Sequence, residues 1–183
     1  MSTQQHVLKT TGEVEGSEAL RIDADRAEQL VDALNADLAD VYVLYHQLRK
    51  HHWNVEGAEF RDLHLFLGEA AEHAEAIADD LAERVQALGG VPHASPVTLQ
   101  EAASVEPEDE DVYDIRTSLA NDLELYGDVI EATREHVELA ENLGDHATAE
   151  ILRDGLVTVE DDAHHVEHYL EADTLVFEGA IEK

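Results

Sequence analysis

The chain has 183 residues, and 43 acidic side chains against 11 basic ones give it a formal net charge of −32. That balance argues against direct binding of nucleic acid, because phosphate contacts need Lys and Arg and the only lysines are Lys9, Lys50 and Lys183. With no cysteine, disulfides and thiolate metal sites are excluded, and a reducing cytoplasm is the setting the composition suits.

A charge this large opposes collapse in dilute buffer. In molar salt the Debye length shrinks to about 3 Å and self-repulsion is largely screened. The composition therefore reads as that of a protein from an extreme halophile. The length suits one domain able to bury about 70% of its unfolded surface. No run approaches membrane-spanning length, and the first thirty residues lack a basic start followed by an apolar core. A soluble, cytoplasmic protein with no membrane partner is expected.

Residues 1–22 form a polar tail with little pattern beyond Gly12 and Gly16, and its Lys9 and Arg21 are outnumbered by Glu13, Glu15 and Glu18. Asp25 with Glu28 predicts a capping-box start for a first helix. Along it Ala27, Val31, Leu34, Leu38, Val41, Tyr45 and Leu48 alternate spacings of four and three, the seam of a bundle helix, and His52 is the next position. A link through Asn54 and Gly57 reverses the chain into a second helix from about Glu59 to Leu88, ended by Gly89-Gly90. Ala70, Ala71, Ala74, Ala76 and Ala78 make that helix thin enough for close approach by a neighbour.

A long connection punctuated by Pro92, Pro96 and Pro107 follows, with Thr98 to Glu101 opening one short helix. A third helix from about Asp109 to Asn142 places Val112, Ile115, Leu119, Tyr126, Ile130, Thr133, Val137 and Ala140 on its seam. After a tight turn at Leu143-Gly144-Asp145, a fourth carries Ala149, Leu152, Leu156, Val159, Ala163, Val166 and Leu170. The expectation is an all-α fold: a ferritin-like four-helix bundle over residues 23–172, whose long crossover carries a short helix, followed by a tail at 173–183.

The chemistry concentrates on the first two helices. His52 and His64 fall near one end of an antiparallel pair, and Asp79 and Glu83, one turn apart on one face, fall at the other. His64 and Asp79 are separated by fifteen positions of one helix, roughly 22 Å, so no single ion touches both. Two second helices packed antiparallel about a two-fold axis would bring the histidine end of one subunit to the carboxylate end of the other, making two equivalent sites with Glu72 near the midpoint. Imidazole with carboxylate suits Fe(II) and leaves positions open for an oxidant.

The run His52-Trp53-Asn54-Val55 with Gly57, Phe60 and His64, then Asp79 with Ala82-Glu83-Arg84 and Leu88-Gly89-Gly90, resembles the Dps family, the miniferritins. The resemblance covers roughly residues 25 to 172. It implies a hollow dodecamer that oxidises Fe(II), preferably with hydrogen peroxide, and mineralises Fe(III) inside its shell. His52, His64, Asp79 and Glu83 would be ferroxidase ligands shared between subunits, with Trp53 wedged beside them. Gly68 departs from the family pattern, which often has a carboxylate one turn after the second histidine; Glu72 is placed to compensate.

Other candidates follow from spacing and resemblance together. Glu72 and Glu75 share a helical stripe with Asp79 and Glu83 and could nucleate ferric oxide. Asp145, Glu150 and Asp154 match acids that the resemblance places at a three-fold pore admitting cations. His164 and His168 share a helix face and, with Asp161, could form a secondary metal site. Two alternatives stay open: a di-iron carboxylate oxidase with its metals inside one bundle, and a helical assembly without redox chemistry. Family relatives that coat DNA do so through lysine-rich tails, which this chain lacks.

Overall fold

The computed structural model describes residues 6–171; the expected C-terminal tail at 173–183 lies outside them. Five helices follow in order: α1 (Ala24–Asn54), α2 (Phe60–Ala87), α3 (Pro96–Ala102), α4 (Ile115–Asn142) and α5 (His146–Glu171). There is no strand among the described residues; one isolated antiparallel bridge joins Ser17 to Ile22. The two hairpins α1–α2 and α4–α5 pack into a four-helix bundle, with α1 on α4, α2 on α5, and α3 laid across α1. The fold is all-α and ferritin-like, as the helical seams and the long crossover predict.

The seams are buried as their periodicity requires: Ala27, Val31, Leu34, Leu38, Val41 and Leu48 on α1, and Ala149, Leu152, Val159, Ala163 and Val166 on α5. Leu30, Leu34, Leu38, Leu44, Leu48, Leu67 and Leu88 are almost wholly enclosed, each contributing about 1.5–3 kcal/mol of burial. The small residues of α2 serve a different purpose from the one their pattern suggests. Ala70, Ala71, Ala74 and Ala78 are buried in the subunit's own core, and only Ala76 remains exposed.

Helix starts differ from expectation where a nearby polar group wins the cap. α1 begins after Asp23, whose carboxylate accepts from the Arg26 amide at 3.1 Å, so Asp25 sits inside the first turn. α3 begins after Ser95, which caps the Thr98 amide, with Pro96 supplying a helical φ at the first position. α4 begins at Ile115 rather than near Asp109. Asp109 is occupied with the Asp111 amide and the Tyr113 hydroxyl, while Asp114 caps the Arg116 and Thr117 amides. Val112, expected on the α4 seam, therefore lies in the crossover and is exposed.

The N-terminal segment is more than a polar tail, because Val14 and Ile22 pack against the core. Gly16 lies against Gly89, which ends α2 with φ +95°; a Cβ at Gly89 would meet the Gly16 carbonyl oxygen at 2.7 Å. Gly89 is thus required both by the helix terminus and by this close approach.

Among the described residues five aspartates are buried despite the chain's charge, and each has a partner. Asp40 on α1 accepts from the Ser104 amide and hydroxyl and from the Val105 amide, pinning the crossover. Asp37 meets His136, Asp162 meets His73, Asp122 meets His51 and Gln47, and Asp145 meets Arg84. Buried charge is tolerated only when paired in this way.

Candidate metal centre

His52 lies two residues before the end of α1 and His64 one turn into α2, and the link between them reverses at Gly57, where φ is +112°. The two rings stack with centroids 3.8 Å apart and planes 19° from parallel. Each ring is anchored by the other's backbone. His52 Nδ1–H donates to the His64 carbonyl at 2.6 Å, and His64 Nδ1–H donates to the His52 carbonyl at 2.9 Å. A carbonyl can only accept, so the proton belongs on Nδ1 of both rings. In the neutral rings the lone pairs then lie on Nε2, the nitrogens a metal would take.

Phe60 stacks on His64 with centroids 5.1 Å apart. Gly68 provides the room for His52: a Cβ there would stand 3.1 Å from both Cε1 and Nδ1 of the ring. The position that departs from the family pattern is therefore filled by the histidine ring itself. Gly68→Ala is expected to leave thermal stability within about 1 kcal/mol, since alanine's gain in helix propensity offsets the crowding. On the expectation that His52 is an iron ligand, iron affinity should fall about 10-fold as the ring is displaced. Unchanged affinity in a dialysis titration would show that the ring has slack.

Behind this pair lies a support that the helical seams did not reveal. His51 is buried on α1; its Nδ1 meets Asp122 of α4 at 2.8 Å and its Nε2 meets Glu108 of the crossover at 2.6 Å. Gln47 donates to Asp122 at 2.9 Å and accepts from the Glu108 amide at 2.9 Å, while Lys50 and Asn121 each donate to Glu108 at 2.6 Å. Burial disfavours a charged His51, but the two carboxylates outweigh it and raise its pKa. Asp122 occupies the gap that the α4 seam leaves between Leu119 and Tyr126, a gap that does not by itself name His51 as its partner.

α2 runs unbroken from Phe60 to Ala87, so Asp79 and Glu83 stand far along it from the histidines. Glu72, Glu75, Asp79 and Glu83 are all exposed. Trp53, expected beside the site, is 71% exposed in the subunit. Among the described residues no three His, Asp or Glu side chains gather to hold an ion within one subunit. Of the buried acids, Asp122 pairs with His51 and Asp162 with His73.

The acids expected at a pore divide. Glu150 and Asp154 are exposed, but Asp145 is only 5% exposed and caps α5 through the Thr148 amide. Its two carboxylate oxygens take the Arg84 guanidinium at 2.9 and 2.7 Å. Asp145 is thus a structural residue, because a carboxylate locked to a buried guanidinium has no charge to offer a passing cation. His164 and His168 lie exposed on α5 with their Nε2 atoms 3.0 Å apart.

A family model described as a ferritin-like domain matches residues 31–176. A "DNA protection during starvation protein" from Halobacterium salinarum is 80% identical over 182 residues, covering all of both chains. The chain belongs to the Dps family of ferritin-like proteins. The crystal structure of an archaeal Dps homologue from Halobacterium salinarum superimposes with a TM-score of 0.93 at 80% identity, over 98% of this chain and all of that one. A Vibrio cholerae O1 Dps protein, described as belonging to a broad superfamily of ferritin-like diiron-carboxylate proteins, gives a TM-score of 0.80 at 28% identity over 85% of this chain and 98% of that one. The Halobacterium relative accords with a salt-adapted composition. Among the described residues no helix is long and apolar enough to cross a membrane.

Proposed function

We propose that this chain is a cytoplasmic ferroxidase and iron store, assembled as a hollow dodecamer, that binds Fe(II) between subunits and oxidises it with hydrogen peroxide. The observation that carries the reading is the reciprocal Nδ1–carbonyl pairing of His52 and His64, which holds two imidazoles with free Nε2 atoms at one end of α2. Asp79 and Glu83 of the partner subunit would complete the ligand set, which their distance along α2 prevents within one subunit. Membership of the Dps family supports the same reading.

Iron is the substrate. Peroxide takes one electron from each of two Fe(II), its O–O bond breaks, and two protons complete two waters. The neutral imidazoles and the carboxylates bind the ion while leaving positions for the oxidant. Fe(III) then hydrolyses bound water, and Glu72 and Glu75, exposed on α2, are proposed to collect the product as mineral. Glu150 and Asp154 remain the proposed acids of a cation pore, without Asp145. Protection would come from removing Fe(II) and peroxide rather than from coating DNA, since 43 acids oppose contact with phosphate. Peroxide added to Fe(II)-loaded protein in concentrated salt should give rapid ferric absorbance, and oxidation no faster than in buffer alone would sink the reading.

The formal charge of −32 per chain also predicts that the assembly loosens as salt is removed, because screening is what permits such surfaces to meet. Light scattering should report a falling mass on dialysis into dilute buffer. A shell that keeps its full mass there would contradict the salt argument.

A further inference from the structure

The last turns of α5 carry a second imidazole pair, separate from the centre at the α1–α2 turn. His164 and His168 are four positions apart on one helix face, their ring centroids are 4.3 Å apart, and their Nε2 atoms are 3.0 Å apart. Behind each ring stands a carboxylate: Glu167 lies 3.5 Å from Nδ1 of His164, and Glu171 lies 3.2 Å from Nδ1 of His168. Neither contact is a hydrogen bond as it stands, but each carboxylate is within reach of Nδ1 and can accept its proton once Nε2 holds an ion. The two Nε2 atoms stand at hydrogen-bonding distance, 3.0 Å apart, so that a proton on one is shared with the lone pair of the other. A metal ion that displaces this proton uses both lone pairs.

The spacing admits one ion on both nitrogens. Two nitrogens each about 2.0–2.1 Å from one ion are about 2.9 Å apart at a right angle and about 3.4 Å apart at the tetrahedral angle. The observed 3.0 Å lies within this range, and among divalent first-row ions a nitrogen pair holds Cu(II) tightest. We propose that His164 and His168 form a surface site for a divalent late-transition-metal ion, with Cu(II) held tightest, Ni(II) next, and Glu167 and Glu171 orienting the rings. Asp161 is not part of it, since its carboxylate stands toward His165, 3.9 Å from Nδ1. The protein supplies two ligands and leaves the remaining positions to solvent, so the ion exchanges readily.

The test uses the full chain, iron-free and in concentrated sodium chloride. Cu(II) is titrated by equilibrium dialysis and followed by electron paramagnetic resonance for coupling to two imidazole nitrogens. The parent should bind one more Cu(II) per chain than a His164→Gln, His168→Gln variant, and the two-nitrogen signal of that extra ion should vanish with it. Glu167→Gln, which keeps both ligands, should weaken the site about 10-fold. All these side chains are exposed, so the fold and the peroxide-driven oxidation of Fe(II) should be unaltered. An unchanged copper count and signal in the double variant would overturn the proposal, as would tighter binding of Zn(II) than of Cu(II) at this pair. A parent that oxidises no iron yet shows the copper difference would remove the ferroxidase reading and leave this site standing.

Discussion

Mixing two inactive variants should restore part of the Fe(II) oxidation that each has lost. A His52→Ala, His64→Ala chain and an Asp79→Ala, Glu83→Ala chain are each expected to oxidise Fe(II) with peroxide on the order of 100-fold more slowly than the parent. Loss of a ligand costs at least as much as loss of the groups that orient one. In a mixed dimer one site combines both defects and the other combines both intact halves. Random reassociation makes half the dimers mixed, so about a quarter of the parental activity should return. No recovery after co-refolding, with light scattering showing mixed shells, would place the chemistry within one subunit. The helical geometry leaves little room for that outcome, because α2 is a single helix from Phe60 to Ala87 and a rod cannot bring its own ends together.

The largest effect on stability is expected at Arg84 and Asp145, which share their charges between α2 and the start of α5. Arg84 Nε donates to the Thr148 hydroxyl at 2.8 Å while the guanidinium holds both carboxylate oxygens, and both side chains are buried. Asp145→Asn keeps a capping side chain but leaves the guanidinium buried without its counter-charge, at a cost of about 3–5 kcal/mol. Arg84→Met combined with Asp145→Asn removes both charges and should recover most of the loss. Urea unfolding in concentrated salt at one protein concentration measures both; a single variant within 1 kcal/mol of the parent would show that water reaches the pair.

The same pair sets a pH dependence. Burial pushes the Asp145 carboxyl up, but the Thr148 and Arg84 contacts outweigh it and hold it below the ordinary carboxylate range. Its contribution is therefore complete above the ordinary value of 3.8 and is lost as pH falls through the lowered folded value. Unfolding profiles of the parent should steepen there, and those of Asp145→Asn should not.

Features that depend on residues close along the chain were readable before any coordinates. Seam periodicity is one, since each helix must present a stripe to a core, and the seams of α1 and α5 are buried almost position for position. The long crossover and the two short hairpin links are another, and they distinguish a ferritin-like bundle from an up-and-down one. The conclusion that His64 and Asp79 cannot share an ion within a subunit also needs only the rise of a helix.

What required the tertiary structure is the choice of partner among many similar groups. In a chain with 43 acids, no local pattern says that Asp145 answers Arg84 across 61 positions while Glu150 and Asp154 stay exposed. Nor does it say that His51 rather than His52 is the buried histidine, since the two adjoin and only packing against Asp122 and Glu108 separates them. The helix starts at Asp23, Ser95 and Asp114 were misplaced for the same reason, as several capable caps stood within reach of each. The alanines of α2 were read as an outer face because small size is legible in one dimension and direction is not. The locking of His52 and His64 by each other's carbonyls belongs to the folded state as well: backbone groups carry no sequence signature, so this contact arises only when the Gly57 turn lays the two helix ends side by side.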